Sequence, residues 1–245
     1  MKNHIEIQHV SFSYPDGTEV FKEIDLMIAE GETAGIIGPN GAGKTTLLLA
    51  IAGLIDFSGE IEVSGKSVNK KNIADIRSGI SFVFQNPDDQ LFMPTVEEDI
   101  SFGLEKLGFN NDEIKNRVSS SLQRVDLAGF EKKSSHHLSL GQKKRICLAA
   151  AFARDSKLLL LDEPSNELDP KGRREFMELI DSMKCTKLIV SHDLNLIYEM
   201  CDKVAVLNDK KIIAYGDKLK ILSNKKLMIE NSLEVPLLLK IQILS

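Results

Sequence analysis

The sequence predicts an α/β fold built on a mostly parallel sheet, with an antiparallel N-terminal edge region and an inserted helical lobe. Three observations carry this expectation. Compact apolar runs at Thr33 to Ile37, Leu158 to Leu161 and Leu188 to Val190 have the unbroken character of parallel strands covered on both faces. The first run feeds a glycine-rich loop, and a Leu- and Ala-rich helical segment, Thr46 to Gly53, follows with Gly53 placed as its C-cap. From about Pro87 to Asp155 the texture turns to polar, helical segments such as Asp112 to Val125 and Gln142 to Arg154.

The remaining elements follow in order. Ile5, Ile7, His9 and Ser11 alternate with Glu6, Gln8, Val10 and Phe12, a period of two that suits a strand at a sheet surface. Ile24 to Ile28 reads as a second short strand and leads to the turn Glu30-Gly31-Glu32. Gly59 to Gly65 and Ile80 to Phe84 read as further strands. Val204 to Leu207, Asn208-Asp209 and Lys211 to Ala214 form a terminal hairpin pattern. There is no internal repeat and no low-complexity linker.

Size and composition bound the function. A chain of 245 residues with 42% hydrophobic residues buries a proper core and is not disordered. Its net charge of -5 gives no global signature for nucleic acid. Cys147, Cys185 and Cys201 fall in no metal or redox spacing and read as reduced, structural thiols of a cytosolic chain. The N-terminal MKNHIEIQHV lacks the apolar core of a cleaved signal. No stretch approaches the ~18 apolar residues that cross a bilayer, so any membrane role is borrowed from partners.

The chemistry begins at Gly38-Pro39-Asn40-Gly41-Ala42-Gly43-Lys44-Thr45, which matches G-x-x-x-x-G-K-[ST]. Its glycines let the backbone curl so that successive N–H groups face phosphate oxygens, and the following helix, with Thr46 in its first turn, adds its positive end. Lys44 is placed to reach the β- and γ-phosphates of a bound nucleotide, and the Thr45 hydroxyl to hold Mg²⁺. Asp162 and Glu163 close the apolar run Leu158 to Leu161. At the C-terminal edge of a parallel sheet they would face the crevice of the phosphate loop, Asp162 holding hydrated Mg²⁺ and Glu163 polarising a water.

Leu138-Ser139-Leu140-Gly141-Gln142 resembles the signature of the ABC ATPase family, usually written LSGGQ, and nearly the whole chain carries that family's elements in order. The resemblance implies a P-loop NTPase (RecA-like) core spanning residues 1–218, with a helical subdomain at about 87–155 and a short helical extension at 219–245. It implies that Tyr14 stacks on adenine, that Gln85 links Mg²⁺ and water to the transport partner, and that Ser165 to Asp169 form the D-loop. His192, about thirty residues beyond Glu163, matches the switch histidine that touches the γ-phosphate. Ser139, Gly141 and Gln142 would offer a hydroxyl and N–H groups to the ATP of a second chain in a head-to-tail dimer. Ser139 also has the character of a helix N-cap. Leu140 stands where the signature usually has its first glycine, and Asn166-Glu167 where the D-loop usually has small residues.

Phe84-Gln85-Asn86-Pro87-Asp88-Asp89-Gln90-Leu91-Phe92 and Leu138 to Arg145 narrow the resemblance to the ATPases of energy-coupling-factor importers, most similar to the cobalt and nickel subgroup. Leu233 to Leu239 resembles that group's C-terminal extension. Such importers combine two ATPases, identical or paralogous, with a transmembrane coupling subunit and a substrate-binding membrane subunit. The ATPase then works peripherally, at the cytoplasmic face of the membrane. Rival readings are an ABC importer ATPase for another cargo, such as biotin, riboflavin or folate, and a non-transport ABC ATPase acting on nucleic acid. The absence of tandem cassettes and basic arms speaks against the last. His136-His137 reads as a solvated lead-in to the signature rather than a metal pair. Thr95-Val96-Glu97-Glu98 reads as a capping box, and Glu97-Glu98-Asp99 also as a face for a basic coupling helix. Leu237 to Leu239 with Ile241, Ile243 and Leu244 reads either as a packed helix or as a dimer contact.

Overall fold

The computed structural model describes residues 2–239. These form two compact units, one built from residues 2–77 together with 185–239 and the other from Ser78–Lys184. The chain enters the first unit with β1 (Asn3–Ser13), β2 (Glu19–Ala29), β3 (Thr33–Ile37), α1 (Lys44–Ile51), β4 (Ser58–Val63) and β5 (Lys66–Ser67). The chain passes from the first unit to the second within α2 (Ile73–Gly79). The second unit holds β6 (Ile80–Val83), α3 (Val96–Lys106), α4 (Asn111–Arg124), α5 (Leu140–Arg154), β7 (Leu158–Asp162) and α6 (Pro170–Asp181). The first unit is completed by β8 (Thr186–Val190), α7 (Leu194–Met200), β9 (Lys203–Asn208), β10 (Lys211–Asp217), α8 (Lys218–Leu222) and α9 (Lys225–Glu230).

In the first unit an antiparallel sheet has the order β2-β1-β4-β5, and a second set of strands runs β10-β9-β3-β8. Strand β3 pairs in parallel with both β8 and β9, and β9 turns back antiparallel into β10. All five residues of β3 are buried, as its apolar run requires. Gly35 in its middle is small for a reason: a Cβ there would sit 3.0 Å from Cys201 Sγ and from Ile197 Cδ1, the side on which α7 packs.

The period-2 reading of β1 holds only to Ile7. Ile5, Ile7 and Val10 are all fully buried, so the phase slips by one residue. His9 takes φ 50° and the β1–β4 register shifts between Gln8 and Ser11, the mark of a bulge. Gly59 makes room for it, since a Cβ there would lie 2.4 Å from His9 O. Strand β2 begins at Glu19, ahead of the expected Ile24. Phe21 is buried opposite Phe12, while Glu23 at φ 49° breaks the alternation between Phe21 and the buried Ile24.

In the second unit, β6 and β7 pair in parallel, with Val83 opposite Leu161. Val96, Ile100 and Leu104 on α3, and Ile114, Val118 and Leu122 on α4, recur every fourth residue and are buried. They pack on α5, which is buried almost continuously from Ile146 to Ala153. Each of the three helices opens with a reciprocal capping box: Thr95 with Glu98, Asn110 with Glu113, and Ser139 with Gln142. Each such cap contributes about 1 kcal/mol. Helices α3 to α5 fall within the segment 87–155 expected to be helical, and the compact unit also takes in β6, β7 and α6.

Candidate functional site

In the first unit, chemistry gathers where parallel strands end. Ile36 lies opposite Val190 in the β3–β8 ladder, so the glycine-rich loop and His192 each begin two residues beyond a matched pair. The loop curls tightly. The buried Lys44 ammonium donates to Gly38 O (2.9 Å) and Pro39 O (3.0 Å), and Ala42 N–H to Pro39 O (3.3 Å). Gly43 is the residue before α1, with φ 94° and no side chain to cap the first turn. A Cβ there would lie 2.6 Å from Val20 Cγ1, so any other residue would have to displace Val20 and hold a strained backbone. The result is a helix N-terminus that opens onto a loop of backbone N–H groups beside an ammonium, the donor set that takes a polyphosphate. Thr45 is exposed beside the loop, while Thr46 is buried in the first turn of α1.

His192 is exposed in the turn between β8 and α7. That turn is pinned on either side: Asp193 N–H donates to Ser191 Oγ (3.1 Å), and Asp193 Oδ1 accepts from the N–H groups of Asn195 and Leu196. Tyr14, beyond the end of β1, is 48% exposed and stands edge-on to Phe12 with ring centroids 5.2 Å apart.

The second unit repeats this arrangement with oxygen donors. Val83 is opposite Leu161, so Gln85 and Glu163 each lie two residues past a paired position at one edge of β6 and β7. Asp162 is the buried last residue of β7, whereas Gln85 is exposed. Glu163 adopts φ 45° and Glu167 φ 63°, so the segment from Glu163 to Glu167 turns twice through left-handed backbone. The amide and carboxylate oxygens of Gln85 and Asp162 are hard donors of the kind Mg²⁺ takes, as is, in the first unit, the Thr45 hydroxyl.

Helix α5 begins at the signature. Ser139 Oγ accepts from Gln142 N–H (3.3 Å) and Gln142 Oε1 accepts from Ser139 N–H (3.0 Å), so both side chains are engaged in capping. A Cβ on Gly141 would meet only Leu168 Cδ2, at 3.7 Å, an ordinary contact. Three successive cations then leave the helix in different directions. Lys143 pairs with Asp88 (2.6 Å), Lys144 turns inward, and Arg145 reaches Val125 O, Asp126 and Glu175. Lys144 is 1% exposed and donates to Pro164 O (3.0 Å) and Asn166 O (2.9 Å), with Glu163 O at 3.5 Å. Sequence reasoning passed over Lys144. No local signal marked it, because three consecutive helical residues span about 200°, an arc that an amphipathic helix can present to solvent.

The acids of α3 are occupied within their own unit. Glu98 closes the capping box, Glu97 pairs with Lys132, and Asp99 Oδ1 accepts from the N–H groups of Phe92 and Met93 at 3.0 Å. Asp99 Oδ2 is buried with no hydrogen-bond partner, and desolvation raises the carboxyl's pKa above the usual range. His136 and His137 are exposed in a short turn before the signature. Among the described residues, no group of three His, Cys, Asp or Glu could hold a metal ion, and no helix is long and apolar enough to cross a membrane. Leu237 is exposed and Leu239 buried, whereas Ile241, Ile243 and Leu244 lie outside the described residues.

Residues 21–166 match the family model described as ABC transporter. The chain belongs to the ABC transporter family. Within it, this ATPase is 40% identical over 238 residues to the energy-coupling factor transporter ATP-binding protein EcfA of Methanothermobacter thermautotrophicus, covering 95% of this chain and 76% of that one. It is 40% identical over 241 residues to EcfA of Carboxydothermus hydrogenoformans, covering 97% and 89%. Its fold is similar to that of CbiO1 from Clostridium perfringens, described as part of the ABC transporter complex CbiONQ. The TM-score is 0.82 at 33% identity, over 99% of this chain and all of that one. The ABC ATPase is therefore of the energy-coupling-factor type, and the mostly parallel α/β architecture read from its apolar runs is the one this family shares.

Proposed function

We propose that this ATPase powers an energy-coupling-factor importer for cobalt or nickel ions, working at the cytoplasmic face of the membrane with a transmembrane coupling subunit and a substrate-binding membrane subunit. The observation that carries the cargo is the likeness to CbiO1 over nearly the whole of both chains, together with the LSLGQKKR and FQNPDDQLF segments. Residues 1–218 would act as the ATPase domain, with the helical subdomain at about 87–155, and 219–245 as a C-terminal extension.

ATP would lie along Gly38 to Thr46, with its adenine on Tyr14 and its β- and γ-phosphates against Lys44 and the loop N–H groups. Mg²⁺ would be held by Thr45, Gln85 and Asp162. Bound there, it would neutralise charge on the β- and γ-phosphate oxygens. Glu163 would accept the proton of the attacking water and His192 would hydrogen-bond the γ-phosphate. Ser139, Gly141 and Gln142 of a second chain would complete each site in a head-to-tail dimer, either of two copies or with a paralogue. The rings of Phe92 and Phe102 in the second unit are exposed and edge to face at 5.6 Å, and they would offer a face to the coupling subunit.

The decisive experiment is to isolate the tagged chain from its own cells with its membrane subunits and to reconstitute the complex in liposomes. ATP-driven uptake of cobalt or nickel is the expected result. Uptake of a vitamin with no metal uptake would replace the cargo. Recovery of periplasmic-binding-protein partners would remove the energy-coupling-factor assignment itself.

A further inference from the structure

We propose that Lys144 is a positioning residue for ATP hydrolysis, a buried strut by which the signature helix fixes the loop that carries Glu163. The inference rests on the reading of Glu163 as the group that activates water. Three observations support it. The Lys144 ammonium, 1% exposed, sits among the carbonyls of Glu163, Pro164 and Asn166, which matches the three donors an ammonium offers. The loop needs such support, because Glu163 and Glu167 both hold left-handed backbone that non-glycine residues leave unless their surroundings enforce it. And burying a cation is a poor way merely to pack a helix. Desolvation lowers the Lys144 pKa below its ordinary value, with Glu167 opposing that effect.

The neighbouring bond sharpens the role. Lys143 holds Asp88, three residues past Gln85, so consecutive side chains of one helix hold the segments that follow Gln85 and Glu163. Lys143 is a partly exposed ion pair of small worth. Lys144 is the buried member and the one whose acceptors are the backbone around Glu163. Among the described residues the hydrogen bonds of that ammonium go to carbonyls of the loop, so its proposed action is through Glu163.

The test compares the purified parent with Lys144→Met, which keeps the length and removes the donors, and Lys144→Gln, which returns two N–H donors at shorter reach. Lys144→Met should lower kcat about tenfold or more, the penalty of a misplaced catalytic group. Its KM for ATP and its affinity for the fluorescent analogue MANT-ATP should stay within about twofold. Lys144→Gln should recover part of kcat. A Lys144→Met protein with parent kcat overturns the proposal, as does one whose kcat, KM and melting temperature all deteriorate together. If Lys144→Met does not fold, the Gln variant decides on the same two criteria. Glu163→Gln is assayed alongside. Should it hydrolyse ATP at the parent rate, the reading of Glu163 fails, whereas an inactive Glu163→Gln beside a fully active Lys144→Met sinks the strut alone.

Discussion

The carbonyl oxygen of Leu207 occupies the space beside Gly38, 2.0 Å from where a Cβ on that glycine would stand. Leu207 is on β9, whose Val206 pairs with Ile37 at the end of β3, so the strand that flanks the phosphate loop also sets its entry angle. Gly38→Ala must therefore push either β9 or the loop aside, at a cost of about 1–3 kcal/mol. Gly41 is the control. Its φ of 79° is left-handed, but nothing stands within 4 Å of a Cβ there, so Gly41→Ala should cost only about 1 kcal/mol of backbone strain. Urea unfolding followed by circular dichroism, with MANT-ATP titration, separates the two. Equal losses would mean that the Leu207 contact does not limit the loop.

Glu163→Gln keeps the shape and the left-handed turn and removes the proposed base. Steady-state hydrolysis should fall by about 10²–10⁴ while MANT-ATP affinity is unchanged. With ATP present the variant should elute as a dimer in size-exclusion chromatography, since the composite site is filled but not emptied. A variant that hydrolyses normally places the base elsewhere. One that stays monomeric in ATP, alone, points to a paralogous partner.

The legibility of the site in the sequence depended on what each signal measures. The glycine-rich loop was readable because its glycines answer to local backbone geometry, and β3 and α1 flank it as the motif requires. The capping box at Thr95 and the N-cap at Ser139 were readable for the same local reason, and the structure adds Gln142 to complete a box at Ser139. The bulge at His9 was not readable from β1, since it depends on Gly59 of the neighbouring strand making room. Lys144 was hidden for a related reason: a lysine reads as solvated unless its acceptors are known, and these lie about twenty residues away in a loop that the helix meets only after folding. Glu97 to Asp99 looked like one acidic patch, and the fold gives the three carboxylates different partners.

Burial sets the reactivity of the cysteines. The Cys147 thiol is pushed up to about 12, chiefly by desolvation with the nearby Asp99 adding to it, and burial pushes Cys201 higher still. At pH 8 the thiolate fraction of Cys147 is on the order of 10⁻⁴. With Cys185 also buried, native protein should react with 5,5′-dithiobis(2-nitrobenzoate) only as fast as it opens, and release three equivalents once unfolded in guanidinium. Prompt release of one equivalent from native protein would show that one of these sites is accessible.

Asp99 gives a pH dependence of definite sign. Desolvation raises its folded pKa above 3.8; Glu98 reinforces the shift, and the Phe92 and Met93 N–H groups and His136 oppose it. Between 3.8 and that raised value the folded state binds a proton that the unfolded chain has released, so stability falls as pH rises through this window. At neutral pH the penalty is fully present. Asp99→Asn keeps an oxygen for Phe92 N and Met93 N and removes the charge from the buried Oδ2 position. The variant should therefore gain on the parent at pH 7, with the advantage shrinking as pH falls toward 3.8. Urea unfolding of both proteins across that range measures it. An advantage that is the same at every pH would assign the difference to packing, and not to the carboxylate's charge.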